Sequence, residues 1–168
     1  TTNATYQHTW VEDDFKSDGG TTTNINGLTW TYDALTYLGF DTSNGRGVQI
    51  GSKTNPQTTP WKLSADIPEG VYVTGYSLEL ANASGGEGTY TIEIGDYSKT
   101  DDFSYKNPTK IVDEKINKKD DSFDLTLTSK SLAMYINSFE IYFYVPDGID
   151  FEVSRDSGSG SEDPDNPD

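Results

Sequence analysis

Cysteine is absent from this 168-residue chain, which excludes a disulfide scaffold and a thiolate metal site. Basic residues are scarce: 12 Lys+Arg stand against 28 Asp+Glu, a formal net charge of −16. Nucleic acid and anionic membrane surfaces call for clustered positive charge, so neither is an expected partner. No run approaches the roughly 20 apolar residues of a membrane span, and no membrane insertion is expected. Histidine occurs once, at His8, with no serine or cysteine arrangement beside it suited to nucleophilic catalysis. It reads as a polar strand residue. No apolar stripe of three helical turns exists, so there is no helix for a phosphate-cradling loop to open. A glycosidase would need two carboxylates roughly 5–10 Å apart, but acids this numerous single out no pair. The chain reads as a non-enzyme without catalytic residues or a bound cofactor.

What it does contain is aromatic. Three tryptophans and eleven tyrosines sit in a chain only 32% hydrophobic, with a mean hydropathy of −0.69. Tyrosine and tryptophan offer a flat apolar face together with a hydrogen-bonding edge. In an acidic chain with short strands, that combination points to a binding surface.

Apolar residues recur with period two: Leu28, Trp30 and Tyr32; Val48 and Ile50; Trp61 and Leu63; Tyr76, Leu78 and Leu80. The pattern continues through Tyr90, Ile92 and Ile94, then Phe123, Leu125 and Leu127, then Phe139, Ile141, Phe143 and Val145. A last short strand is expected over Ile149, Phe151 and Val153. Turn signals such as Asn26-Gly27, Ser43-Asn44-Gly45 and Pro146-Asp147-Gly148 separate the runs. The expected fold is all-β, an antiparallel β-sandwich of jelly-roll-like type, spanning 1–156. The lysine- and aspartate-rich stretch 113–121 is expected as a solvated hairpin or loop. Residues 157–168 hold no apolar side chain and read as an acidic Ser/Gly/Pro/Asp linker. A Thr-Thr-Asn start and such a linker read as one trimmed module, with further domains of the same parent chain as neighbours.

Three segments carry a resemblance: Leu28-Thr29-Trp30-Thr31, Gly47-Val48-Gln49-Ile50-Gly51-Ser52, and Met134-Tyr135-Ile136-Asn137-Ser138-Phe139-Glu140-Ile141. In this order the chain resembles β-sandwich accessory modules, carbohydrate-binding or adhesin-like, of multi-domain surface and secreted proteins from gut bacteria. The resemblance spans roughly residues 5 to 145. It implies the fold and an extracellular or cell-surface setting; its motifs are structural and assign no binding residue.

Candidate ligand-binding residues follow from position. Trp61 closes the polar loop 53–60 and is expected as a stacking platform, with Arg46, Lys53 and Asn55 as hydroxyl partners. Tyr142 and Tyr144 lie in the opposite phase to Phe143, which puts two phenol rings about 7 Å apart on an outer sheet face, a second platform. The acidic clusters Glu12-Asp13-Asp14, Asp101-Asp102 and Asp120-Asp121 could lend oxygens to a structural calcium, though none has the spacing of a calcium loop. The leading expectation is non-catalytic binding of a polysaccharide or oligosaccharide, a neutral glucan such as starch. The alternative is a structural or adhesive stalk module that spaces its neighbours or binds a protein.

Overall fold

The computed structural model describes residues 2–116 and 121–157. In chain order the strands are β1 (Thr2–Thr9), β2 (Gly20–Thr21), β3 (Trp30–Tyr32), β4 (Leu38–Asp41), β5 (Gly47–Ile50), β6 (Trp61–Ala65), β7 (Tyr72–Asn82), β8 (Glu87–Ile94), β9 (Tyr97–Phe103), β10 (Thr109–Asp113), β11 (Phe123–Ser131) and β12 (Met134–Val145). A 3-10 turn, Glu12–Asp14, follows β1. The strands form two antiparallel sheets. In the first the order is β10-β7-β12-β5-β4, and β12 is long enough for its outer edge to serve two partners. Its start, Met134–Ile136, pairs with β5, and Ser138–Val145 pairs with β1. The second sheet runs β2-β3-β6-β11-β8-β9.

The alternating residues meet between the sheets. Trp30, Leu63, Leu78, Leu80, Ile92, Ile94, Leu125, Leu127, Ile136, Phe139 and Ile141 are all wholly buried, each contributing roughly 1.5–3 kcal/mol. Trp10 sits at the centre of an aromatic cluster, with Phe15, Phe139 and Trp30 at 5.1, 5.3 and 5.4 Å between ring centroids. Two of the three buried indoles keep their polar edges bonded, while Trp10 Nε1 is buried without a hydrogen-bond partner. Trp30 Nε1 donates to the Tyr6 hydroxyl (3.2 Å), and Trp61 Nε1 donates to the Asp33 carbonyl (2.9 Å).

Two bulges break the strict alternation. Asn137 and Ser138 oppose Glu79 alone, so Met134 and Ile136 face inward in one parity and Phe139, Ile141 and Phe143 in the other. Thr74 is the extra residue opposite the Tyr142–Phe143 step. It lets Val71 and Val73 point inward ahead of Tyr76, Leu78 and Leu80. Gly47 opens β5 at φ +101, and a Cβ there would lie 2.2 Å from the Ile136 carbonyl. The Gly-Val-Gln-Ile-Gly segment therefore lets β5 lie close against β12.

The strand expected over Ile149, Phe151 and Val153 does not form. These residues take no regular secondary structure and pack against the core, and just beyond them the Gln7 N–H reaches the Ser154 carbonyl (3.1 Å). In the stretch expected as a solvated loop, Asp113 ends β10, and Ile116 is buried with its N–H on the Thr74 carbonyl (3.0 Å). Residues 117–120 and the linker beyond Ser157 lie outside the described residues. No helix among the described residues is long and apolar enough to cross a membrane.

Candidate functional site

The outer face of the first sheet, at the end where β12 leaves it, carries a row of tyrosines set by register. Tyr144 pairs with Tyr72 on one side and Asn3 on the other; one step along, Tyr142 pairs with Gly75 and Thr5. Tyr72, Tyr142 and Tyr144 are all partly exposed. The Tyr72 and Tyr144 rings are nearly parallel, 8° between planes and 6.0 Å between centroids. Tyr142 rests where Gly75 has no side chain: a Cβ there would stand 3.0 Å from its Cδ2.

Polar groups flank the rings. The Tyr142 hydroxyl donates to Glu140 Oε2 (3.0 Å), and Arg155 Nη1 donates to Glu140 Oε1 (3.2 Å). Burial and then the Glu140 carboxylate push the Tyr142 phenol up to about 12, so it stays a neutral donor through the physiological range. Glu140 to Tyr144 covers about 13 Å of strand. The surface is thus a shallow aromatic platform ending in a charged, hydrogen-bonding step. It can stack a flat partly apolar ring and bond its hydroxyls.

The other expected platform is not there. Trp61 is wholly buried. It opens β6 in the same phase as Leu63, and its ring lies 5.7 Å from Phe15 and 6.4 Å from Tyr32. A buried indole offers no face to a ligand. Arg46 is committed elsewhere as well: its Nε bonds Asp41, and its guanidinium covers the Tyr135 ring at 4.3 Å. Burial pushes the Asp41 carboxyl up, but the bonds from Arg46 and Asn44 and the Arg46 charge together outweigh it and hold the group below its ordinary value. Lys53 and Asn55 are exposed in the loop after β5. That loop adjoins the Met134 end of β12, roughly 25–35 Å of strand from Tyr142 and Tyr144. The expected residues therefore do not converge on one site.

Tyr72 was missed by alternation because it shares parity with the inward Tyr76, and only the Thr74 bulge turns it outward. Tyr37, 44% exposed, is a further outer-face ring, lying across Gly39, where a Cβ would stand 2.8 Å from its Cε1.

His8 is not a free base. In β1, its Nδ1 lies 2.7 Å from Asp156 Oδ1 and its Nε2 2.8 Å from Asp14 Oδ2. Burial pulls the imidazole down, but hydrogen bonds and charge from both carboxylates outweigh it and hold its pKa above the ordinary 6.5. The clamp ties β1 to the turn after it and to the C-terminal segment. At least one carboxylate of each acidic cluster is hydrogen-bonded within the protein. Asp14 bonds His8 and the Val11 N–H, Asp102 bonds Lys130 and Thr89, and Asp121 accepts the Gly70 N–H. Among the described residues no group of three or more His, Cys, Asp or Glu could hold a metal ion; Asp120 lies outside them.

No family model and no curated protein matches the chain. Among solved structures it is similar to the CBM22-1 xylan-binding domain from Paenibacillus barcinonensis (15% identity, 85% of this chain and 97% of that one, TM-score 0.45). It is also similar to the carbohydrate-binding module CBM36 in complex with calcium and xylotriose (14% identity, 84% and 99%, TM-score 0.42). A third is the module TmCBM61 in complex with β-1,4-galactotriose (10% identity, 86% and 92%, TM-score 0.40).

Proposed function

We propose that this protein is a non-catalytic carbohydrate-binding module of a secreted or cell-surface bacterial protein, and that it binds a neutral glycan, a glucan such as starch, on the outer face of its first sheet. The observation that carries the reading is the Tyr72–Tyr144 pair, two near-parallel rings held in register beside Tyr142 and left partly exposed. Tyr72, Tyr142 and Tyr144 act as the stacking platform; Glu140, Arg155 and Asn3 are the hydroxyl partners. A chain of net charge −16 repels uronates and sialic acids, which favours a neutral ligand. Trp61 and Arg46 drop out of the site. Lys53 and Asn55 remain only as distant loop residues.

Affinity is expected between micromolar and millimolar, because a few rings and hydroxyl contacts must offset an association cost of roughly 4–15 kcal/mol. Electrophoresis through gels containing soluble starch or another neutral glucan tests the reading: Tyr72→Ala/Tyr144→Ala should abolish the retardation shown by the parent protein. No retardation in any neutral polysaccharide gel would favour the stalk module instead, a reading that the burial of all three tryptophans supports.

A further inference from the structure

Backbone groups of β1 alternate in direction. The Gln7 N–H goes to the Ser154 carbonyl and the Thr9 N–H to the Asp156 carboxylate (2.7 Å), both away from β12. In an antiparallel pair, alternate residues spend both backbone groups on the partner strand, so Asn3 and Thr5 direct theirs to this same outer edge. Among the described residues those groups of Asn3 and Thr5 have no hydrogen-bond partner.

The chain that shields the edge at Gln7 and Thr9 stands off from it before Ser154, leaving an open groove of about 470 Å³. Ala4, Val145, Ile149 and Phe151 supply its apolar lining, and Asp150 and Glu152 are exposed beside them; no lysine or arginine lines it. Edge strands normally carry a charge, a proline or a bulge against strand addition. The edge strand β9 has Lys99, Asp101 and Asp102, and β10 has Lys110 and Asp113. The Thr2–Tyr6 stretch of β1 has none of these devices.

We propose that this edge takes up an extended basic peptide as an added strand. Its backbone pairs with Asn3 and Thr5, an apolar side chain enters the groove over Ala4 and Phe151, and lysine or arginine two residues to either side meets Asp150 and Glu152. Backbone pairing supplies affinity and the groove selects alternate side chains. The carboxylates and the absence of cations make the occupant basic. This surface lies at the sheet edge and meets the glycan platform at Asn3, through its backbone groups rather than its side chain.

The test uses amide exchange and peptide titration followed by NMR on the whole chain. The probe is an acetylated, amidated nonapeptide with a central valine, lysine two residues to either side and threonine elsewhere. In the free protein, the Asn3 and Thr5 amides should exchange fast while those of Ala4 and Tyr6 are protected; peptide should protect Asn3 and Thr5. Thr5→Pro removes the outward N–H and spares the β12 pairing, since proline is tolerated at solvent-facing edge positions. It should weaken binding at least about tenfold, as should Asp150→Asn/Glu152→Gln. The same peptide with glutamate for lysine should not bind. Protected Asn3 and Thr5 amides in the free protein, or no binding at millimolar peptide, overturn the proposal. So does binding unchanged in both variants; should Thr5→Pro not fold, unchanged binding in the carboxylate variant alone is decisive.

Discussion

On the outer face of the second sheet, cross-strand neighbours are hydroxyls and charges. Lys62, Thr126, Thr91 and Thr100 form one row across β6, β11, β8 and β9, and Thr89 stands beside Asp102 in the next. On the outer face of the first sheet, the row across β7, β12 and β1 reads Tyr72, Tyr144, Asn3, followed by Gly75, Tyr142, Thr5. The threonine face completes its own bonding, with Thr91 and Thr100 hydroxyls 2.9 Å apart and Thr89 donating to Asp102 at 2.9 Å. Threonine there is explained by strand preference alone. The Tyr142 hydroxyl donates to Glu140 at 3.0 Å, and the Tyr72 and Tyr144 rings lie against one another, partly exposed. The proposed glycan site lies on the tyrosine face, and the threonine face is its control.

Removing what lies beneath both faces should have the largest effect. Trp30→Ala or Trp61→Ala should each cost about 3–5 kcal/mol, read as a lowered urea midpoint. A stability change below about 1 kcal/mol for Trp61→Ala would return that residue to the surface and remove the contrast between buried indoles and exposed phenols.

The His8 clamp comes next. His8→Ala should cost about 3 kcal/mol at pH 5, since it leaves two carboxylates facing a vacated site. The raised pKa of His8 makes its stabilisation full below 6.5 and lost as pH rises through the folded-state value. For Asp156, burial raises the carboxyl, but bonds from His8, Thr9 and Asn26 outweigh it and hold it below 3.8. Its stabilisation is present above 3.8 and lost as pH falls through that depressed value. Urea midpoints of the parent protein should therefore be highest between about pH 4 and 6.5 and fall on both sides, and His8→Ala should remove the alkaline limb. A midpoint that rises from pH 6 to 8 would contradict a charged clamp.

Smaller effects separate the faces. Tyr144→Ala should cost about 1 kcal/mol or less in stability, the range of a cross-strand aromatic pair, while glycan retention is lost. Thr91→Ala or Thr126→Ala should stay within about 0.5 kcal/mol and leave retention unchanged. Equal loss of retention from both faces would erase the comparison.

Alternation made the inward residues legible, because a strand with one buried face must place apolar side chains at every second position. It also placed Tyr142 and Tyr144 outward, and it held the correct reading of Trp61, which shares the phase of Leu63; its position at the end of a polar loop pointed the other way. The bulges were not legible. One added residue at Thr74 reverses parity, and nothing local distinguishes it, so Tyr72 looked inward and its pairing with Tyr144 was hidden. The His8 clamp joins residues 6 and 148 positions apart, a proximity that only the closed sandwich creates.

The most direct test of the platform is an NMR titration of the whole chain with neutral oligosaccharides of glucose, read at assigned tyrosine ring and threonine methyl resonances. Tyr72, Tyr142 and Tyr144 should shift together and saturably, with Thr89, Thr91 and Thr126 unmoved. Shifts confined to the threonine face or to the loop around Lys53 and Asn55, with the three tyrosines still, would contradict the account.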